Sequence, residues 1–326
     1  MIQRTDKVDR RDLKIIFMGT PEFAQTNLKA LIDGGFNVVL ALCQPDKPVG
    51  RKHILTAPPV KVLAQENGIE VYQPDTLKTE EALEKLSSYN ADLIVTAAYG
   101  KILPKAVLDL PKYGCINCHG SLLPARRGSA PVQRAVLEGD MVTGITFMKM
   151  DVGMDTGDII EKIEVCIDPN EHTESLMNRL AVASAEKLPS IIDAWVDGRL
   201  TATKQDDSLA TSCPPIRPEE GEFSWDQDAL DIHNRVRALS AWPGAFVMKG
   251  ENKLKVLDSE VLEDETMVPD ELKSSVPGTV VKAKGENLIV KCGKGYLKVK
   301  ELQVPGGKRL MSRDCAHNFT VGNPIM

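Results

Sequence analysis

Asn117 and His119 stand two residues apart in a short apolar run, Gly114-Cys115-Ile116-Asn117-Cys118-His119, and a tight Gly-Ser-Leu-Leu-Pro stretch follows at 120–124. Two apart on a β-strand means the same face. A carboxamide able to donate N–H to a developing oxyanion would meet an imidazole able to carry charge or move a proton. The segment carries a second message, because Cys115, Cys118 and His119 also spell C-x-x-C-H, the attachment pattern of a c-type haem. Downstream, Asp151, Asp155 and Asp158 lie among Gly153 and Gly157 in a loop after a strand. Their spacing fails the calcium-loop pattern. Such acids are either a surface turn or the source of one inward carboxylate that holds the imidazole.

Cysteine usage weighs against haem. Seven cysteines are scattered along the chain, and no second pair has metal-ligand spacing, so a reduced, cytoplasmic protein without a metal site is expected. On a strand, Cys115 and Cys118 would point to opposite faces. Residues 1–12 read as a polar extension whose acids suit neither a secretory signal nor a transit peptide. No apolar run reaches the ~18 residues of a membrane span.

The elements that must position Asn117 and His119 alternate. Apolar strands are expected at 13–18, 38–42, 91–97, 114–119 and 144–150, with helices over 21–32, 78–88 and 174–196. That order predicts an α/β domain with a Rossmann-like parallel sheet over 13–204, binding its ligand beyond the C-terminal strand ends. The turn Gly19-Thr20-Pro21-Glu22-Phe23-Ala24 lacks the later glycines of a dinucleotide fingerprint, and Glu22 would repel phosphate, which disfavours an NAD enzyme. Prolines and acids mark 205–222 as a linker. Residues 223–326 read as a helix over 229–239 and then short strands near 279–282, 287–290 and 296–299, a small β-barrel.

Net charge is −6, yet residues 278–326 hold nine Lys/Arg against three acids. A basic module on an acidic one predicts a polyanionic partner.

Asn117-x-His119, Ser121-Leu122-Leu123-Pro124 and Asp155, together with Ala98-Tyr99-Gly100-Lys101-Ile102-Leu103-Pro104, resemble the formyltransferases that use 10-formyltetrahydrofolate. The resemblance spans about residues 13 to 326. It implies a catalytic trio of Asn117, His119 and Asp155. It also implies a folate pocket lined by Ala98, Tyr99, Gly100, Ile102, Ser121, Leu122, Leu123 and Pro124, with 10-formyltetrahydrofolate as co-substrate and no metal. The segment Phe17 to Ala24, the basic loop from Pro45 and the basic C-terminal module are similar to members whose acceptor is initiator methionyl-tRNA. Smaller relatives acting on glycinamide ribonucleotide lack that loop. The implied RNA contacts are Lys47, Arg51, Lys52 and Lys61, the implied C-terminal fold is OB-like, and a monomer is expected. Two alternatives share part of the pattern: a sugar-nucleotide formyltransferase, which needs no basic module, and an idle RNA-binding protein, which needs no trio.

Overall fold

A computed structural model describes residues 8–50 and 52–326. Its elements begin with β1 (Lys14–Gly19), α1 (Glu22–Asp33), β2 (Asn37–Leu42), β3 (Lys47–Val49), β4 (Ile54–Thr56), α2 (Pro59–Glu66), β5 (Val71–Tyr72), α3 (Glu80–Ser88) and β6 (Leu93–Ala97). Then come α4 (Lys105–Leu108), β7 (Cys115–His119), β8 (Arg127–Gly128), α5 (Pro131–Leu137), β9 (Val142–Lys149), β10 (Ile159–Cys166), α6 (Thr173–Val196) and β11 (Ser212–Cys213). The chain closes with α7 (Ala229–Ala238), β12 (Ala245–Lys249), β13 (Asn252–Val261), β14 (Val280–Lys284), β15 (Asn287–Lys291), β16 (Tyr296–Gln303), β17 (Arg309–Met311) and α8 (Ser312–Cys315). Contacts divide these into two units. One comprises residues up to 131 with 142–166 and 177–214; the other comprises 132–141, 167–176 and 215–326.

The first unit is built on a seven-stranded sheet in the order β10-β9-β7-β6-β1-β2-β5. β1 is buried from Ile15 onward, as a central strand covered on both faces must be. Five neighbouring strands are parallel, as the alternating pattern predicts. β9 and β10 depart from it: both run antiparallel to their neighbours. The nine residues between them are too short for a parallel crossover, so the chain turns back as a hairpin. A separate two-stranded ribbon, β3–β4, forms in the basic loop. Its Ile54 and Leu55 are 62% and 66% exposed.

The polar N-terminal extension has a local anchor in this unit. Arg10 donates to both carboxylate oxygens of Asp193 and to the Gly34 carbonyl.

The second unit carries an antiparallel sheet, β12-β13-β16-β15-β14, with β17 on β16. Its core includes Trp225, Ile232, Val236, Leu254, Val290 and Leu297. The expected barrel is not closed, because other segments take up both edges. Near the start of β14, the Val280 N–H donates to the Asn323 carbonyl and the Gly322 N–H to the Val280 carbonyl. At the opposite edge the Phe223 N–H donates to the Phe246 carbonyl of β12. Capped edges of this kind satisfy the backbone without closure.

His233 on α7 is 3% exposed. Its Nε2 faces the Pro169 carbonyl at 3.0 Å and its Nδ1 faces the Ser259 hydroxyl at 3.1 Å. A carbonyl only accepts, so Nε2 carries the hydrogen and Ser259 donates to Nδ1. Burial is the main cause that lowers the His233 pKa below 6.5; the Arg237 and His172 charges act the same way, against the Pro169 bond and Asp258. Below pH 6.5 the unfolded chain takes up a proton that the folded ring refuses. Stability is therefore expected to fall with pH, by at most about 1.4 kcal/mol per pH unit from this group. Thermal melts from about pH 7.5 to about pH 5.5 test this, with His233→Gln flattening that part of the curve. Parallel curves for the two proteins would refute it.

Candidate active site

β6 and β7 run parallel in a register that sets Thr96 beside Asn117. The Thr96 hydroxyl donates to Asn117 Oδ1 at 2.8 Å. With its oxygen engaged, the carboxamide keeps its N–H end for a ligand. His119, two positions on along β7, is 6% exposed. Its Nε2 lies 3.0 Å from the Arg126 carbonyl and donates to it. Its Nδ1 lies 3.6 Å from Asp155 Oδ1, farther than a hydrogen bond.

Asp155 reaches this position from the loop between β9 and β10. Its backbone is left-handed, φ 54°. Gly157 makes the loop possible: a Cβ there would sit 1.8 Å from the Lys149 carbonyl oxygen. Asp155 Oδ2 accepts the Gly128 N–H at 2.8 Å. Gly128, at φ 127°, belongs to β8, which pairs in parallel with β11. Asp155, distant in sequence, thus comes beside His119, which shares a face of β7 with Asn117.

The segments expected around the folate are also placed. Ala98 and Gly100 are exposed, and Ile102 is 70% exposed, while Tyr99 and Leu103 turn inward. The Tyr99 carbonyl accepts from Thr20 Oγ1 and Gln44 Nε2, which pins the loop at the C-terminal end of β6. Burial raises the Tyr99 phenol well above its usual range. Ser121 and Leu123 are buried, and Leu122 and Pro124 are half-buried. Ser121 Oγ donates to the Ala125 carbonyl at 2.8 Å and approaches the Arg126 carbonyl that meets His119. Thr146, opposite His119 in register, ties the turn down: its hydroxyl donates to the Ser121 carbonyl and accepts the Leu123 N–H.

Of the expected RNA contacts, Lys47 and Lys52 are exposed on the β3–β4 ribbon. Arg51 lies outside the described residues. Lys61 is engaged, 2.8 Å from Asp46, and Asp46 also accepts from Gln73. Asp46 immediately precedes β3, so this cluster roots the ribbon.

The haem pattern dissolves here. Cys115 and Cys118 are both buried, and burial pushes each thiol up to about 12, which keeps it protonated. Among the described residues no group of three or more His, Cys, Asp and Glu is arranged to hold a metal. A cavity of about 750 Å³ opens at the start of β7, between Tyr113, Lys149 and Trp195, but none of Asn117, His119 and Asp155 lines it.

Sequence reasoning missed Thr96, Gly128 and Thr146, whose parts depend on register and backbone. No local signal marks them, although the polar Thr96 inside an apolar strand is a hint in retrospect.

Comparison with known proteins bears on this arrangement. Residues 13–192 match the family model described as Formyl transferase, and residues 215–320 match Formyl transferase, C-terminal domain. The methionyl-tRNA formyltransferase of Geotalea uraniireducens (strain Rf4) is 44% identical over 309 residues, covering 95% of this chain and 96% of the relative. That of Ruminiclostridium cellulolyticum is 43% identical over 313 residues, covering 96% and 97%. Among solved structures, the N-formyltransferase from Helicobacter canadensis in complex with folinic acid and dTDP-3-aminofucose has a TM-score of 0.63 at 15% identity, over 91% of this chain and 100% of that one. The methionyl-tRNA formyltransferase from Clostridium thermocellum has a TM-score of 0.52 at 21% identity, over 77% and 94%. These two likenesses concern the fold. The two matched segments and the near full-length relatives establish that the chain belongs to the formyl transferase family.

Proposed function

We infer that this chain transfers the formyl group of 10-formyltetrahydrofolate to the α-amine of initiator methionyl-tRNA, giving N-formylmethionyl-tRNA. The observation that carries this is identity of 41–44% over at least 93% of the chain to eight relatives, each named methionyl-tRNA formyltransferase. The site geometry agrees with the chemistry. Acyl transfer between nitrogens passes through a tetrahedral species bearing an oxyanion and a protonated amine. An α-amine titrates near ~7.7–8.0, and an adjacent ester lowers that, so a neutral nucleophile is accessible near neutral pH. The main demand is on stabilising the charges that develop.

In this reading Asn117 donates N–H to the oxyanion, presented in that sense by Thr96. His119 stabilises charge on the same face and assists proton movement, steadied by Asp155. The exposed row Ala98, Gly100 and Ile102, with the Ser121–Pro124 turn, receives the folate. Lys47 and Lys52 meet the acceptor-stem phosphates, a contact that weakens as salt rises. Lys61 then serves by holding the root of the ribbon through Asp46.

The test is direct. Purified protein incubated with 10-formyltetrahydrofolate and methionyl-tRNA is expected to yield N-formylmethionine on the RNA. Absence of that product, or formylation of an amino-sugar nucleotide in its place, would overturn the reading.

A further inference from the structure

We propose that Gln205 is a positioning residue for the catalytic carboxylate, acting on Asp155 through the backbone. The inference rests on the reading that Asp155 steadies His119. Gln205 lies in the segment whose prolines and acids read as a linker, yet it is 5% exposed. Its Nε2 donates to the Asp155 carbonyl at 2.8 Å and to the Gly157 carbonyl at 2.7 Å. Its Oε1 accepts from Arg127 Nε at 3.1 Å and Arg127 Nη2 at 2.8 Å. Both N–H groups and both lone pairs of the carboxamide are therefore used. The partners also fix its sense. A flipped amide would set N–H groups against a guanidinium and an oxygen against two carbonyls.

The Asp155 loop needs such a clamp. Asp155 sits at φ 54°, a left-handed conformation uncommon for residues with a Cβ, though Asp and Asn adopt it more readily than most. Gln205 grips the backbone on both sides of Thr156, at Asp155 and at Gly157. Its other end grips Arg127, the neighbour of Gly128, whose N–H holds the Asp155 carboxylate. One buried side chain thus ties together the backbone that carries the carboxylate and the strand that aims it. Arg127 is secured in turn by Asp207 at 2.8 Å.

Two substitutions separate the halves of this clamp. Gln205→Glu keeps the acceptor for Arg127 but cannot donate to the Asp155 and Gly157 carbonyls. Gln205→Met keeps the length and makes neither contact. Both are expected to lower kcat about 10- to 100-fold, the scale of a displacement of about 1 Å at a catalytic group. KM for each substrate is expected to stay within about threefold of wild type, since no uniform binding contact is lost. In an Asp155→Asn background, Gln205→Glu is expected to cost less than about twofold, because the two act as one unit.

Wild-type kcat in Gln205→Glu, with its melting temperature unchanged, would overturn the proposal. So would an undiminished loss in the Asp155→Asn background, which would assign Gln205 a general structural part. If Asp155→Asn alone keeps wild-type kcat, the role of Asp155 itself falls, and the proposal falls with it.

Discussion

Asn117→Ala is expected to fold as the parent does and to turn over about 10²- to 10³-fold more slowly, a loss of about 2.7–4 kcal/mol of transition-state stabilisation. In the proposed mechanism the magnitude follows from removing a preorganised N–H donor where negative charge develops. Preorganisation is visible in the structure, since Thr96 holds the carboxamide oxygen and leaves the N–H end free. The fold is expected to survive because Asn117 is only half-buried and the orphaned Thr96 hydroxyl has the Ile116 carbonyl within 3.4 Å. Steady-state kinetics with each substrate varied would show the loss in kcat with KM little altered. A kcat within about threefold of wild type would remove Asn117 from the chemistry.

His119→Ala is expected to cost a comparable amount, about 10²- to 10⁴-fold in kcat. The Arg126 carbonyl holds the ring at Nε2 and Asp155 Oδ1 lies 3.6 Å from Nδ1, so in the proposed reading the ring is a fixed group at which charge can be stabilised. Its loss leaves a small cavity but no stranded acceptor, because Ser121 Oγ and Cys213 Sγ also approach the Arg126 carbonyl. An unchanged circular dichroism spectrum with activity near wild type would refute the assignment. Asp155→Asn is expected to cost less than His119→Ala. Asn tolerates the left-handed backbone and keeps an oxygen for the Gly128 N–H, so only the charge facing the ring is removed.

How much of this was legible beforehand depended on the range of each constraint. Asn117 and His119 could be paired from sequence because strand periodicity is local and puts alternate residues on one face. The buried parallel strands could be read because they are continuous apolar runs. Asp155 came from family resemblance, since a lone acidic loop is ambiguous on its own. Thr96 was out of reach: its meaning lies in the register between two strands. Gly128 contributes a backbone N–H, and every non-proline residue has one. Gln205 was hidden by its surroundings, because the composition of 205–222 describes the segment's average exposure, not the one side chain that turns inward. The β9–β10 hairpin was missed for a similar reason. Its second strand alternates charged and apolar residues at a sheet edge and lacks the apolar run that marked the others.

The capped edge of β14 carries a consequence for the order in which the molecule can be made. Gly322 to Ile325 pair with Gly278 and Val280, and they follow every strand of the second unit in the chain. On a ribosome these residues emerge after every strand of that sheet, so the start of β14 stays unpaired after the rest of the sheet is available to fold. During that interval an open strand edge is a template for pairing with another nascent chain. Two alternate residues of β14, the half-buried Lys282 and the exposed Lys284, put positive charge on that strand, and like charges discourage two copies from joining there. The closing residues then replace a temporary electrostatic guard with a permanent hydrogen-bonded one.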